Sequence, residues 1–251
     1  DGESITPKEA ARRFFGKYTH EEVKNNHPIH KDAPFIMEKL GDSTRFKGLL
    51  ISDYVNEIDP KGVAQMSAMK FTHPEFTYVS YRGTDDSMVG WKEDFMLSYM
   101  PVSEGQLLAK DYLNSVVSGD EDVLYVGGHS KGGNFAVFSA MHCLSKIRER
   151  ITRIFSNDGL GFSSDVVGSD EYNAVLSRVT SILPESTLVG IMYSGNYDDK
   201  IVKSTATGLY QHDATTWEVM HNDFVYAEGR SKESYQMGTA LRTWLSGMTP
   251  E

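Results

Sequence analysis

Cysteine is almost missing: Cys143 stands alone in 251 residues, so no intrachain disulfide framework staples this chain. A core must do that work instead, and 39% hydrophobic content with 24% charged residues is that of a globular protein. A lone thiol and the lack of a signal-peptide pattern lead to the expectation of a cytoplasmic location. Positive charge is also in short supply. Lys and Arg total 25 against 35 Asp and Glu, a net charge of −10. Binding nucleic acid means neutralising phosphates with basic side chains, so that partner is disfavoured. No apolar run approaches the roughly 20 residues that a transmembrane helix needs. Repeats, low-complexity tracts and linkers are absent too, so one domain over residues 1–251 is expected.

The first stretch, 1–42, reads as helical. Thr6-Pro7-Lys8-Glu9 is a capping box with proline at the first helical position, and Thr19-His20-Glu21-Glu22 repeats the cap. A third short helix runs from near Ala33 to Gly41. From Phe46 the pattern turns to strands at 48–57, 63–71 and 76–81, separated by turns at 59–62 and 72–75, hence antiparallel. Beyond Gly83 strand and helix alternate. Helices are predicted at 106–117, after 133, near 170–179 and at 232–245, with strands at 122–127, 152–157 and 187–194. Residues 43–251 are therefore predicted to form an α/β fold, a mostly parallel sheet with antiparallel N-terminal strands and helices on both faces.

Gly128-His129-Ser130-Lys131-Gly132 lies where the strand pattern ends and the helix pattern begins. Strand, Gly-x-Ser-x-Gly turn and helix form the nucleophile elbow of an α/β-hydrolase. The glycines permit a sharp turn that exposes the Ser130 hydroxyl, and the helix start leaves N–H groups free for an oxyanion. The pentapeptide alone is a weak signal, and the strand-to-helix context carries it. Cys143, mid-helix behind the elbow, reads as a buried structural thiol.

A serine hydroxyl needs an imidazole to take its proton and a carboxylate to orient that imidazole, in the chain order Ser, acid, His. Of the later histidines, His142 lies about 18 Å along the elbow helix, too far to help. His221 reads as a hairpin turn. His212, in a polar turn after the last core strands, is the expected base. His129 is expected to point into the fold and pack there. For the acid, Asp158 follows the strand 152–157, at the edge where such sheets gather their functional groups. Asp198 and Asp199 follow the next predicted strand, so both places stay open. Tyr81-Arg82-Gly83-Thr84 ends a strand near the elbow, and Thr84 with Lys131 is expected to supply the oxyanion-hole N–H groups. Arg82 has Asp85, Asp86 and Asp94 as nearby ion-pair candidates.

Tyr-Arg-Gly-Thr, Gly90-Trp91-Lys92-Glu93-Asp94 and Gly-His-Ser-Lys-Gly-Gly-Asn resemble the class 3 lipases. Together with 54–59, Asn157-Asp158-Gly-x-Gly-Phe, 186–190 and Gln211-His212-Asp213, they resemble more closely an uncharacterised bacterial family related to those lipases. The likeness covers about residues 43–246. It implies an α/β-hydrolase with Ser130 as nucleophile and His212 as base, and it favours Asp158 as the acid. The class 3 pattern would place the acid near Asp199. Leu160 stands where the closer family has proline, and that family's own N-terminal segment is expected to be missing or replaced before residue 4.

The expected activity is cleavage of a carboxylic ester through a Ser-His-Asp triad and an acyl-enzyme, with a small-molecule ester or acyl substrate. Thioesterase or acyl-amidase chemistry, or an inactive hydrolase fold used for binding, are the alternatives. Such a mechanism calls for no cofactor and no metal. His27-Pro28-Ile29-His30 lacks a carboxylate pattern and reads as a loop. Phe95, Met96, Leu97, Tyr99 and Met100 form an apolar stretch expected to line an acyl site or the core.

Overall fold

Thr6 begins the first helix as its side chain demands. Its Oγ1 accepts the N–H of Glu9 at 3.2 Å, and Pro7 fills a position whose N–H would have no partner. The computed structural model describes residues 3–26, 32–85, 87–97, 100, 102–192 and 195–246. The segment 27–30 read as a loop therefore lies outside the described residues, as do Asp86 and Tyr99. Helices α1 (Pro7–Phe15), α2 (His20–Asn26) and α3 (Ala33–Asp42) come first, with Gly41 of α3 pressed on the backbone of Lys8. A bridge between Ile5 and Ile51 ties this segment to the sheet.

The strands β1 (Leu50–Asp59), β2 (Ala64–His73) and β3 (Phe76–Tyr81) pair antiparallel, as their turns predicted. Four parallel strands extend the sheet from β3: β4 (Leu124–His129), β5 (Ile151–Asn157), β6 (Val179–Pro184) and β7 (Asp199–Val202). The seven lie side by side in chain order.

That order governs the layers. Right-handed crossovers that always step in the same direction put their helices on the same face of the sheet. Helices α4 (Met88–Met96) and α5 (Glu104–Val116) lie between β3 and β4. Between β4 and β5 come α6 (Lys131–His142) and the short α7 (Ser145–Arg148), and between β5 and β6 come α8 (Ser164–Val167) and α9 (Asp170–Leu176). Within this group α5 packs on α6 and α6 on α9, and their apolar residues form the main core with the sheet residues Met66, Val79, Val126 and Ile154. Over β6 and β7 lies a second small core, in which Ile182 and Val202 meet Trp217 and Phe224 from the irregular chain around the hairpin β8 (Val219–Met220) and β9 (Asp223–Phe224). The last helix, α10 (Lys232–Ser246), docks through Ser234, whose hydroxyl donates to the Thr187 carbonyl at 2.8 Å. Among the described residues no helix is long and apolar enough to cross a membrane.

One predicted strand is misplaced. The run 187–194 was expected to be β6, but its described part holds a 3-10 turn at Val189–Ile191, and the strand is Val179–Pro184. The misplaced run spends its polar groups elsewhere. Gly190 N–H and the Thr187 hydroxyl both donate to the buried carboxylate of Asp158 rather than to a sheet ladder.

Where α6 meets β3, only glycine fits. A Cβ on Gly132 would overlap the carbonyl of Tyr81 and the backbone of Arg82, whereas Gly229 has open space around it. Gly132→Ala is expected to destabilise the protein by about 1–3 kcal/mol or more, as overpacking does, while Gly229→Ala stays near wild type. Urea midpoints of the two variants check this. Equal midpoints would mean that the contact is not as tight as described.

Candidate active site

The chain from β4 into α6 turns at Ser130 with φ 58° and ψ −131°, a region that a residue with a side chain rarely adopts. Such strain at the serine is the mark of an elbow. Ser130 N–H donates to Asn157 O at 3.0 Å, which locks the turn against β5. Gly83 lies so near that a Cβ on it would touch Ser130 Cβ at 3.1 Å, bringing the end of β3 beside the serine.

Asp158 occupies the matching place one strand over. It follows β5 with φ 45°, its N–H donates to Ile182 O at 2.8 Å, and it is fully buried. Its Oδ2 accepts Nδ1–H of His212 at 2.7 Å. Its Oδ1 accepts the Gly190 N–H at 3.1 Å and the Thr187 hydroxyl. A carboxylate can only accept here, so the proton on His212 sits on Nδ1 and Nε2 keeps a free lone pair.

His212 ends a 3-10 turn, Gly208–His212, that its neighbours hold fast. Buried Gln211 accepts the Ser186 N–H at 2.8 Å and donates to Ala206 O at 3.1 Å, while Trp217 Nε1–H donates to Gln211 O at 2.8 Å. His129 belongs to this support. Packing was expected of it, yet its Nε2–H donates to the carbonyl of His212 at 2.7 Å, and the two rings lie 4.5 Å apart. No hydrogen bond joins the Ser130 hydroxyl to His212. Such contacts are commonly loose without substrate and tighten when it binds.

The other candidates lie elsewhere. Asp199 opens β7 opposite Ser181, exposed like Asp198, and the structure does not bring either to His212. His221 is exposed in the turn between β8 and β9, with φ 60°. His142 ends α6 against Phe138, and buried Cys143 follows it. Arg82 pairs with Asp85 at 3.3 Å and donates to Asn56 Oδ1 at 3.0 Å. Of the apolar stretch, the Phe95 side chain lies outside the described residues, and Met96, Leu97 and Met100 are half-buried. A cavity of about 350 Å³ opens instead on the sheet face away from α6, between Tyr78, His129, Phe155 and Trp217.

Thr84 is half-buried at the end of β3, and its hydroxyl donates to Asp94 Oδ2 at 2.6 Å. Lys131 heads α6, where first-turn N–H groups have no helical partner. Sequence reasoning missed what its side chain does. Lys131 is fully buried, and its ammonium meets Glu93, also fully buried, at 2.9 Å and Asp94 at 3.9 Å. The available signals were a lysine inside Gly-x-Ser-x-Gly and two adjacent acids in Gly-Trp-Lys-Glu-Asp. Burial pushes the Asp94 carboxyl up to about 6, against the pull of Lys131 and of the Thr84 hydrogen bond.

A mostly parallel sheet carrying a strained serine turn at the C-terminal edge of β4 is an α/β-hydrolase fold. The chain belongs to the Mbeg1-like family, which matches residues 40–251. Among solved structures it is similar to a fungal lipase captured with an inhibitor, at 16% identity over 82% of this chain and 84% of that one, with a TM-score of 0.46. M37 lipase is similar at 16% identity over 97% and 82%, TM-score 0.45. The lipase of Rhizopus microsporus var. chinensis is similar at 12% identity over 94% and 86%, TM-score 0.46. No curated protein matches the chain. The fold assignment rests on the sheet and the elbow, not on these distant likenesses.

Asp94 gives the stability a pH dependence of known sign. The folded protein holds its proton up to about 6, well above the 3.8 of an unperturbed group. Its contribution is therefore full below pH about 4 and lost as pH rises through the folded value. Asp94→Asn, which mimics the neutral acid, is expected to stabilise the protein by up to about 3 kcal/mol above pH 7 and to match wild type near pH 4. Urea unfolding across that range tests it, and a gain that grows towards acid pH would reverse the sign.

Proposed function

We propose that the protein is a serine hydrolase that cleaves carboxylic esters through an acyl-enzyme. The observation that carries this reading is the 2.7 Å contact from His212 Nδ1 to the buried Asp158, beside a serine held at φ 58°. Ser130 Oγ attacks the ester carbonyl carbon while its proton passes to His212 Nε2. The electron pair moves onto the carbonyl oxygen, where the N–H groups of Lys131 and Thr84 receive it. As the tetrahedral species collapses, the bond to the alcohol breaks and His212 returns the proton to the leaving oxygen. Water then repeats the sequence on the acyl-serine, restoring Ser130.

Asp158 keeps His212 in the useful tautomer and offsets the imidazolium charge. Two further hydrogen bonds hold the carboxylate, so it does not rotate with each turnover. The Asp94 carboxylate draws the Thr84 hydroxyl towards itself, which fixes the residue whose N–H faces the oxyanion. A protein that only binds has no need of a buried acid tied to an imidazole beside a strained serine.

Three comparisons test the reading on p-nitrophenyl esters and with a fluorophosphonate probe. Ser130→Ala is expected to abolish both turnover and labelling. Asp158→Asn should lower turnover by up to about 10⁴-fold, since it favours the wrong tautomer, while Asp199→Asn stays close to wild type. His212→Ala should lose activity almost as fully as the serine variant, and His221→Ala should keep it. Comparable turnover in purified, folded Ser130→Ala would sink the assignment.

A further inference from the structure

Glu93 and Lys131 form an ion pair from which water is wholly excluded: both side chains are 0% exposed and they meet at 2.9 Å. Stability does not explain its presence. Desolvating two charges commonly offsets their attraction, and an apolar pair of similar volume does as well or better. Lys131 is also placed at the wrong end of its helix, since a cation at an N-terminus opposes the helix dipole.

What the pair does is fix geometry. Glu93 Oε2 accepts Lys131 Nζ–H and the Gln65 N–H of β2, and its Oε1 accepts the Ser103 hydroxyl and the Gly105 N–H at the start of α5. Its acceptor directions are thus committed to β2, the start of α5 and the start of α6. The chain of contacts continues from Ser103 to Gln106, whose amide donates to Asn134 of α6 at 2.8 Å. Asn134 in turn donates to Gly161 O at 2.9 Å, in the turn after Asp158. Asp94, next to Glu93 on α4, holds the Thr84 hydroxyl.

We propose that Glu93 and Lys131 are positioning residues: their buried ion pair sets the backbone N–H of Lys131 against the Thr84 donor, so that adjacent carboxylates on α4 fix both halves of the oxyanion site. This rests on the serine-hydrolase reading above. Donors stabilise a transition state only when held in place beforehand, and each is worth about 10²–10³ in kcat. Releasing the pair loosens donors that act on the transition state, so kcat falls while KM changes little. Asp94 titrates facing Lys131, Glu93, Thr84 and His212: the ammonium lowers and the Glu93 carboxylate raises the pH at which it ionises, so removing the ammonium alone raises that pH, while removing both charges leaves opposing effects.

The experiment compares wild type with the neutral pair Glu93→Gln/Lys131→Met and with Lys131→Gln, which keeps an N–H towards Glu93. Thermal melting, steady-state kinetics on p-nitrophenyl butyrate from pH 5 to 9 (about the range of an esterase assay) and fluorophosphonate labelling are read together. Expected is a folded double variant with kcat down at least about ten-fold and KM within about three-fold, and a Lys131→Gln variant whose acid limb moves to higher pH. A folded double variant with wild-type kcat overturns the proposal. If the double variant does not fold, Lys131→Gln decides on the same readings. Loss of fold in both makes the pair structural and overturns it equally. Wild-type protein that neither labels nor hydrolyses the ester sinks the hydrolase reading, and this inference with it.

Discussion

A carboxylate shut away from water survives only on the donors around it, and Glu93 has four: Lys131, Gln65, Ser103 and Gly105. Those donors come from β2, the start of α5 and the start of α6, so one side chain fixes how three elements meet. Removing any of them would leave charge stranded in a low dielectric, which is far more destabilising than losing an ordinary hydrogen bond. The elbow, the start of β2 and the entrance of α5 are therefore set together, and the strained backbone of Ser130 is held within that frame. Asp158 repeats the principle on the next strand. It too is a buried carboxylate with every contact spoken for, one of them the imidazole of His212.

The two buried acids divide the labour. Glu93 holds groups that do not move, whereas Asp158 holds a ring that must accept and return a proton in the proposed reaction. Between them the strands β3, β4 and β5 present Thr84, Ser130 and Asp158 at one edge of the sheet. Parallel strands collect functional groups at that edge because all their C-terminal ends lie there. His129 and Trp217 complete the setting from below by holding the backbone around His212.

Much of this was legible in the sequence wherever the determinants are local. The Gly-x-Ser-x-Gly turn, the caps of α1 and the turn residues between β1, β2 and β3 declare themselves within a few positions. Apolar content misled at 187–194, because an apolar run signals burial but not which backbone partners it will take. Val179–Pro184 became the strand, and the richer run became the cradle of Asp158. Glu93 was invisible for the opposite reason. Its partners are scattered from Gln65 to Lys131, and a buried acid looks like a surface acid until the chain is folded. His129 gave no hint of its bond to His212, a residue that the sequence places far away. Residue likeness pointed to Asp158, but its burial and its three partners belong to the fold alone.

The unbroken order β1 to β7 carries a consequence for how the chain reaches this state. Every strand pairs with its predecessor in sequence, so each new pairing closes a loop only as long as one connection. The entropy of closure is then met in small instalments rather than in one long-range step. Such a sheet can grow as a zipper from the β1–β2–β3 meander, one neighbour at a time, and folding from local contacts is the faster route. Growing in that order on an emerging chain, the sheet would set Ser130 at the end of β4 before Asp158 at the end of β5, and His212 would be placed last.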